Sequence, residues 1–551
     1  MTPRGGRLLI ALSMFVMGAC GIIYEYVLSV LGNNLIGSRY EEILIIIGIM
    51  LFAMGMGSVL QERLVDNLID KFLLLEIALG FAGGIAPMAV YAMYTVSESF
   101  QVVLYGSALL IGGLIGMEIP VLIRINKEYA PELKANLSSI LSMDYVGALA
   151  GSLVFVFVLL THVSLGRIGF ILGLTNTAIA VLGLVVFRAQ VKRQRLVTYS
   201  AALSTLVLGT GFFTADDWSR LIEQRYYRNP VVFSETSQYQ HIVLVKRFED
   251  LRLYLNQHTQ FVSADEAIYH ELLVHPAMAL AASRRRVLIL GGGDGLALRE
   301  VLKHSDVEAV TLVDIDPAVI RMAATEPNLV ALNEHSIADA RVTTVIPDMS
   351  SATPEYEDIH ARSEHRTSWQ EENKAPVARV QVLIVDADRF LAKVAGTFDV
   401  AILDFPDASR PEVAKLFSRD FYMALRARLS EDALVAVQST SVSHAKLMFL
   451  CIGETLRAAG FSAVPYHGAV PSFSGEWGFH LASPHPGREA ELLAAMRAAP
   501  KVQVSTHYLT PEVIAASTVF GKEMLVSDEP IEANTKMNPV LVRYSRESWK
   551  Y

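Results

Sequence analysis

The chain contains two patterns of apolar and polar residues, and they meet near residue 215. Before that point, long apolar runs follow one another with almost no charge inside them. Most runs reach the roughly 18–20 residues that a helix needs to cross about 30 Å of hydrocarbon. We therefore predict an α-helical transmembrane bundle of about seven spans in residues 1–215, with runs at 8–31, 43–60, 72–94, 100–123, 145–163, 165–187 and 196–215.

Small residues recur inside these runs at a spacing of four, as in Gly112-x-x-x-Gly116 and Gly147-x-x-x-Gly151. In lipid this spacing lets two helices approach closely, and we expect packing within the bundle rather than oligomerisation. The first run has no small-residue cleavage site and carries Glu25, which favours a transmembrane helix over a cleaved signal peptide.

Basic residues in the loops predict an orientation. The N-terminal tail and the loops 61–71, 124–144 and 188–195 hold eleven Lys and Arg residues, whereas the alternate loops hold two. The positive-inside rule then places the N-terminus in the cytoplasm. Seven spans would place everything after residue 215 on the outer side.

Three carboxylates, Glu25, Glu76 and Glu118, lie within or at the edge of the apolar runs. Intramembrane carboxylates are energetically costly and often functional. Glu76 stands near the start of its run, so we expect it to reach the interface. Glu25 and Glu118 have two readings: they line a cation path, or they are hydrogen-bonded in the bundle or near helix ends.

After residue 215 short β-type runs alternate with amphipathic stretches, a pattern typical of an α/β doubly wound, Rossmann-like parallel sheet. Residues 240–245 and 251–255 predict a small antiparallel β element before the sheet. The expected divisions are a linker and β-rich part at 216–284, the Rossmann-like domain at 285–500 with a polar insertion at 349–378, and a C-terminal extension at 501–551.

Composition agrees with a membrane-embedded portion, since 52% of residues are hydrophobic, 19% are charged and the mean hydropathy is +0.37. The net charge of −9 argues against nucleic acid as a partner, because phosphate binding needs clustered Lys and Arg. Two cysteines and no Cys/His cluster with zinc spacing predict neither a disulfide nor a metal site.

The strongest chemical signal is Val287-Leu-Ile-Leu-Gly-Gly-Gly-Asp-Gly295, a strand that runs into a glycine-rich turn and a helix. The turn lacks dinucleotide spacing and contains Asp294, and Asp314 ends the next strand about twenty residues later, where an acid typically binds ribose hydroxyls. Together they favour an adenosine-type ligand without a phosphate requirement. The simpler alternative is that both acids only cap helices.

Two further acids follow the strand in Phe398-Asp-Val-Ala-Ile-Leu-Asp-Phe-Pro-Asp407. Strand C-terminal ends face the ligand crevice in such sheets, so Asp404 and Asp407 are candidates to hold a cationic substrate and accept its proton. Aspartate in this place also makes ordinary turns. Tyr269 and His270 alone would be ordinary helix residues.

In combination and order, these motifs resemble the spermidine synthase family of polyamine aminopropyltransferases, in the form with an N-terminal multi-pass membrane domain. The resemblance covers roughly residues 230–480 and implies decarboxylated S-adenosylmethionine as co-substrate, no tightly bound cofactor, and a diamine acceptor, usually putrescine. It implies that Asp404 is the proton acceptor. It assigns the donor site to Gln240, Asp294, Asp314, Asp386, Ala387 and Pro411, and the polyamine site to His270, Tyr269 and Asp407.

This sequence departs from the family pattern in three places. Asp314 stands where glutamate is usual. Phe405 and Pro406 replace hydroxyl residues between Asp404 and Asp407, which leaves the acceptor's identity open, and Phe473 replaces a usual tyrosine. In addition, residues 342–348 resemble the strand assigned to 380–386, so Asp348 is the alternative to Asp386.

We therefore predict a membrane-anchored aminopropyltransferase. The alternatives are an S-adenosylmethionine-dependent methyltransferase and a polyamine or cation transporter whose Rossmann-like domain senses its ligand. The expected partners are small molecules and the lipid bilayer, in a prokaryotic inner membrane, and the family resemblance implies a homodimer. The side of the membrane on which the catalytic domain lies stays open. Decarboxylated S-adenosylmethionine is made in the cytosol, whereas seven spans from a cytoplasmic N-terminus would place the domain outside.

Overall fold

The computed structural model describes residues 3–36, 40–97, 99–127, 132–227, 229–339, 342–345 and 378–548. The chain divides into two compact units, Met1–Val231 and Val232–Tyr551. The polar insertion predicted at 349–378 lies outside the described residues except for Ala378, and so does Asp348.

The first unit is helical. Its described residues contain seven helices that are long and apolar enough to cross a membrane. The fifth continues through a π-helical turn, Phe155–Leu159, and a last turn at Leu160–His162. The seventh runs beyond the last apolar run to Tyr227. In chain order they are α1 Pro3–Ile36, α2 Tyr40–Leu60, α3 Leu68–Tyr94, α4 Phe100–Asn126, α5 Leu133–Val154, α6 Leu165–Val186 and α7 Gln194–Tyr227.

Glycines sit where these helices cross. A β-carbon on Gly116 of α4 would lie 2.1 Å from the Met54 carbonyl oxygen of α2, and one on Gly147 of α5 would lie 1.9 Å from the Phe15 carbonyl oxygen of α1. Any side chain at either position would force the two backbones apart. The small-residue spacing thus packs helices of one chain against each other, as expected.

The second unit begins with a four-stranded sheet in the order β1-β2-β3-β4, formed by β1 Val231–Thr236, β2 His241–Arg247, β3 Asp250–Leu255 and β4 His258–Val262. The strand pairs β2/β3 and β3/β4 are antiparallel. This is the predicted small β element, extended by a strand on each side.

The main sheet of the described residues has eight strands: β5 Arg286–Gly291, β6 Ala309–Asp314, β7 Val342–Val345, β8 Arg379–Ile384, β9 Phe398–Asp404, β10 Leu429–Ser441, β11 Ser462–Val470 and β12 Gly475–Ser483. Their order is β11-β12-β10-β9-β5-β6-β8-β7. The strands from β10 to β7 in this order pair in parallel, but β12 is antiparallel to both of its neighbours. The sheet is therefore mixed, with the predicted parallel arrangement at its centre.

Helices cover the main sheet, and two buried apolar clusters form its core. A parallel sheet is stable only when such apolar layers cover both faces, which explains the nearly continuous apolar sequence of β5 and β9. The helices are α8 Glu266–Leu280, α9 Leu296–Leu302, α10 Pro317–Thr325, α11 Pro327–Leu332, α12 Ala387–Lys393, α13 Pro411–Ala414, α14 Arg419–Arg426, α15 Lys446–Ala458, α16 Glu489–Arg497, α17 Pro511–Ala516 and α18 Val540–Ser548.

The strand order reverses between β5 and β9. From β5 the chain moves to β6 on one side, and it later returns to β9 on the other side. Ligands bind at such a switch point, outside the carboxyl ends of the strands. Gly291 and Asp404, the last residues of the two strands, are paired there.

Candidate active site

The glycine turn after β5 brings its backbone against the end of β9. Gly291, Gly292 and Gly295 all have positive φ, which favours glycine. A β-carbon on Gly291 would lie 2.1 Å from the carbonyl oxygen of Asp404. The Gly292 amide donates a hydrogen bond to that carbonyl at 3.2 Å. The turn is therefore fixed directly to the residue predicted to be the proton acceptor.

Asp294 lies within this turn, and Asp314 contacts it from the end of β6. The Leu296 amide donates to Asp294 Oδ1 at 3.0 Å, and the Gly293 amide donates to Asp314 Oδ2 at 3.1 Å. Burial raises the pKa of Asp294 to about 6, against the lowering effect of His270. Burial also raises the pKa of Asp314 to about 6, opposed by its backbone hydrogen bonds.

Asp404 and Asp407 each have polar partners. The Tyr269 hydroxyl donates to Asp404 Oδ1 at 2.6 Å. Gln438 Nε2 donates to Asp407 Oδ1 at 3.3 Å, and the Thr440 hydroxyl donates to Oδ2 at 3.0 Å. Burial raises the pKa of both acids, and these hydrogen bonds oppose the increase.

His270 belongs to a buried ionic network on α8 and α9. Its Nδ1 lies 2.8 Å from Glu266 Oε2, and Arg299 contacts both oxygens of Glu266 at 2.9 and 3.0 Å. Burial alone would lower the pKa of His270, but the hydrogen bond and charge of Glu266 raise it to about 9. At neutral pH the imidazole is therefore a cation next to two acids of the site, Asp294 and Asp404, which add to this effect.

Asp386 follows β8 and caps the start of α12. Its Oδ1 accepts from the amides of Asp388 and Arg389 at 3.0 and 3.2 Å, and its Oδ2 contacts Lys415 Nζ at 2.6 Å. β8 lies directly beside β6, whereas β7 is the edge strand. Asp386 therefore stands near the strand end that carries Asp314, and Ala387 is the first residue of α12. Pro411 begins α13, just ahead of Lys415.

Gln240 precedes β2 and is held through Asp316. Its Nε2 donates to Asp316 Oδ2 at 3.0 Å, and Ser237 donates to the same oxygen at 2.7 Å. Asp316 also caps α10 through the Ala318 amide, so the helix-capping role belongs to Asp316 rather than to Asp314. The small sheet thus places Gln240 close to the carboxyl end of β6.

The family of the Spermine/spermidine synthase domain matches residues 266–361 and 370–491. Polyamine aminopropyltransferase 2 of Ralstonia nicotianae is 37% identical over 99% of this chain and 98% of that protein. The relative named polyamine aminopropyltransferase in Leptospira interrogans is 34% identical over 98% of each chain. The relative of the same name in Mycobacterium tuberculosis (strain H37Rv) is 31% identical over 98% of this chain and 97% of that protein.

The chain belongs to the polyamine aminopropyltransferase family. It is an aminopropyltransferase enzyme, as the motifs predicted. The crystal structure of spermidine synthase from Thermotoga maritima matches with a TM-score of 0.40 and 24% identity, over 54% of this chain and 87% of that chain. A spermidine synthase in complex with the transition state analogue AdoDATO matches with a TM-score of 0.41 and 24% identity, over 54% of this chain and 88% of that chain.

Besides Asp316, which holds Gln240, five polar residues of this aminopropyltransferase border the candidate site and were not predicted from the sequence. Glu266 was detectable, because it lies one helical turn before His270 and so shares its face. Gln438 follows Val437, which is paired with Leu403, so it lies level with Asp404 on the neighbouring strand. Thr440 has a φ of 63°, rare for a β-branched residue, and no sequence signal marks it. The remaining two are Arg299 and Lys415.

Two substitutions relative to the family pattern also have defined places. Phe405 packs in the core against Phe417 and Phe421, with ring centroids 6.0 and 5.9 Å away. Phe473 lies edge-on to Tyr269, with the centroids 5.6 Å apart. Phe405 thus anchors the loop from Asp404 to Asp407 from the core side. Phe473 packs against Tyr269 without adding a hydroxyl.

Proposed function

We propose that this aminopropyltransferase moves the aminopropyl group of decarboxylated S-adenosylmethionine to a diamine such as putrescine, with Asp404 as the proton acceptor. The hydrogen bond from Tyr269 to Asp404 at the strand switch point is the observation that carries the proposal. It orients a carboxylate beside the glycine turn, where an adenosyl group and an amine can meet.

The donor occupies the glycine-turn side in this proposal. Asp314 binds the ribose hydroxyls, and Asp386 with Ala387 contacts the adenine, flanked by Gln240 and Pro411. Asp294 faces the aminopropyl ammonium, because it is a partly buried acid near Asp404. A carboxylate in that position would repel the carboxylate of ordinary S-adenosylmethionine, so the same residue explains the choice of donor.

The acceptor lies on the β9 side, between Asp404 and Asp407. Two carboxylates match the positive charges of a diamine, while Tyr269 and His270 border the reacting end. In the free enzyme the His270 imidazolium balances part of this negative charge. An arriving ammonium group takes over that role and favours loss of the histidine proton, because two adjacent cations repel each other.

The chemical step conserves charge and atoms. An amine has an ordinary pKa of about 10, so the bound ammonium must first lose a proton, and Asp404 takes it. The neutral nitrogen then attacks the aminopropyl carbon, a C–N bond forms and the C–S bond breaks. Methylthioadenosine leaves as a neutral thioether, the product nitrogen carries the positive charge, and Asp404 releases its proton to solvent. Positioning of the two substrates supplies most of the rate enhancement.

We also propose that the helical unit anchors the enzyme in a prokaryotic inner membrane. Seven long apolar helices and the uneven distribution of basic loop residues support this. The test is extraction: the chain should stay with the membrane fraction after a carbonate wash and require detergent for release. Recovery in the wash would contradict anchoring.

A mass-spectrometric assay tests the reaction. Detergent-purified full-length protein receives putrescine with either decarboxylated or ordinary S-adenosylmethionine. We expect methylthioadenosine and spermidine from the decarboxylated donor alone, and a loss of at least about a thousandfold in Asp404→Asn. Asp432→Asn makes the same chemical change at an exposed site and should keep full activity. Methyl transfer from ordinary S-adenosylmethionine would instead identify a methyltransferase.

A further inference from the structure

Two glutamates are buried next to each other in the helical unit. Glu76 of α3 is 0% exposed and Glu118 of α4 is 2% exposed. They interact electrostatically with each other and with Cys20 and Tyr24 of α1. The expectation that Glu76 reaches the interface is wrong, because α3 begins at Leu68 and two helical turns precede it.

Four polar atoms of these side chains have no hydrogen-bond partner among the described residues. This holds for both carboxylate oxygens of Glu76, for Oε1 of Glu118 and for the hydroxyl of Tyr24. The amide of Asn176 on α6 is equally unpartnered, and its β-carbon lies 3.3 Å from the position of a β-carbon on Gly80, one turn beyond Glu76. Tyr24 and Asn176 are 1% and 0% exposed, so the whole cluster is shielded from solvent.

The two glutamates lie at the same depth. Glu76 stands eight residues after the first residue of α3, and Glu118 stands eight residues before the last residue of α4. At about 1.5 Å per residue, each lies about 12 Å from its helix end. Both ends adjoin the basic loops 61–71 and 124–144, so the pair is reached from one side.

The electrostatic surroundings contain no positive charge. The titratable groups that act on the pair are Cys20 and Tyr24 of α1 and Asp144 of α5, which are neutral or negative, and no Lys or Arg of the described residues is among them. Among the described residues, no titratable group of α2, α6 or α7 is a main influence on the pair. Ionised carboxylates without donors or a cation are too costly in such a place, so positive charge must come from a ligand.

Packing limits the size of that ligand. The Tyr24 ring fills the space beside Gly83, where a β-carbon would lie 2.4 Å from the ring. Among the described residues, no group of three or more His, Cys, Asp or Glu side chains is placed to hold a metal ion. A proton needs no additional volume.

We propose that Glu76 and Glu118 form a proton-binding carboxyl pair inside the helical unit, a property independent of aminopropyl transfer. Each carboxylate binds one proton and forms a neutral acid. Asp144 is partly exposed, interacts with Glu118 and lies against Gly18 of α1, so it connects the pair to the surroundings.

Infrared spectroscopy of the full-length protein in detergent tests this proposal. At pH 8 ordinary carboxyl groups are ionised, so C=O absorption of protonated acids reports on exceptional ones. We expect such absorption in the natural protein, about half of it in Glu76→Gln or Glu118→Gln, and none in the double variant. Glu25→Gln changes a half-buried acid on α1 and should leave the band intact. A band that is absent at pH 8, or insensitive to both substitutions, would overturn the proposal.

Two controls keep the result interpretable. Helix content by circular dichroism, measured on the same samples, shows whether the helical unit of each variant is folded. Glu118→Asp keeps a carboxyl and should shift the band rather than remove it. Sodium chloride or putrescine is then added at constant pH. An unchanged band supports the proton as ligand, whereas loss of the band would show that a larger cation takes its place and would overturn the assignment.

Discussion

Glu271 and Glu76 are both 0% exposed, yet their surroundings are opposite. In the catalytic unit, Glu271 accepts three backbone hydrogen bonds, from the amides of His507, Tyr508 and Leu509 at 2.6, 2.9 and 2.8 Å. In the helical unit, Glu76 has no described partner. The same side chain at the same burial therefore holds three backbone amides in one place and is a proton-binding group in the other. The hydrogen-bond partners of a buried glutamate, rather than its burial, decide which of the two roles it has.

Removal of Glu271 should have the largest effect on stability. Glu271→Leu removes three hydrogen bonds, of which the one from Leu509 is buried and the other two are partly buried. At about 1–3 kcal/mol each, we expect the catalytic unit to lose roughly 3–9 kcal/mol. Urea denaturation followed by tryptophan fluorescence measures this loss. A change below about 1 kcal/mol would mean that the three amides find other partners and that the contrast with Glu76 is not real.

Arg299 neutralises two buried acids, Glu266 and Glu300, with contacts of 2.9 and 2.8 Å. Arg299→Gln removes the arginine from both acids, leaves Glu266 with His270 and Glu300 with Lys303, and should cost about 3–5 kcal/mol. Arg285→Gln is the matched control, because Arg285 is 71% exposed and its ion pair with Glu308 should contribute less than about 1 kcal/mol. Equal melting temperatures for the two variants would refute the role of burial.

Stability should also depend on pH through His270. Its pKa in the folded protein, about 9, lies above the ordinary 6.5, so its contribution is fully present below about pH 6.5 and is lost as the pH rises through 9. We expect the free energy of unfolding to fall by up to roughly 3 kcal/mol over this range.

Glu266→Gln removes the carboxylate that raises this pKa, and the fall should shrink with it. Denaturation at pH 6 and pH 9.5 gives the comparison directly. An identical pH dependence in both proteins would show that Glu266 does not hold the histidine proton.

Substitution of Thr440 tests whether the role of Asp407 in catalysis depends on the hydrogen bond from the threonine hydroxyl. Thr440→Val keeps the shape and removes the hydrogen bond to Asp407, which should lower kcat/KM about 10- to 100-fold, the effect of about 1.5–3 kcal/mol. Thr440→Ser keeps the hydroxyl and should stay within a few-fold of the natural enzyme. Steady-state kinetics with a varied diamine measures both, and equal values for the two variants would exclude the hydroxyl as the cause.

The smallest effect on stability is expected for Glu76, whose carboxylate has no hydrogen-bond partner among the described residues. Glu76→Leu removes an acid that makes no hydrogen bond to the described residues, so the unfolding free energy should change by less than about 1 kcal/mol or rise. Thermal unfolding of the purified protein measures this. A large destabilisation would reveal a partner that the acid does have.

Most of the fold follows from local sequence. Uninterrupted apolar runs predicted the seven helices, and strand-like runs predicted the centre of the main sheet. The end of α7 was missed because an amphipathic stretch continues the helix to Tyr227, where the apolar signal has stopped. The antiparallel direction of β12 depends on how the chain returns to the sheet, which local periodicity does not encode.

The candidate site residues that follow a strand in the sequence could be predicted, because their position relative to the strand marks them. Asp294, Asp314 and Asp404 follow strands in the sequence and lie together in the structure, because parallel strands end at one edge. Arg299 escaped notice, since its partner Glu266 is 33 residues away and the pairing exists only after folding. Glu76 was misplaced because residues 68–71, which were assigned to a loop, form the first turn of α3.

Asp404 is held at both of its ends, by Tyr269 at the carboxylate and by the Gly292 amide at the carbonyl. The hydrogen of the Gly292 amide can therefore serve as a probe of this contact. Its exchange with deuterium, read by mass spectrometry on a peptide that covers the glycine turn, reports how often the turn separates from β9. The exchange rate of this amide therefore measures how often the contact between the glycine turn and β9 opens, without substrate, dye or engineered probe.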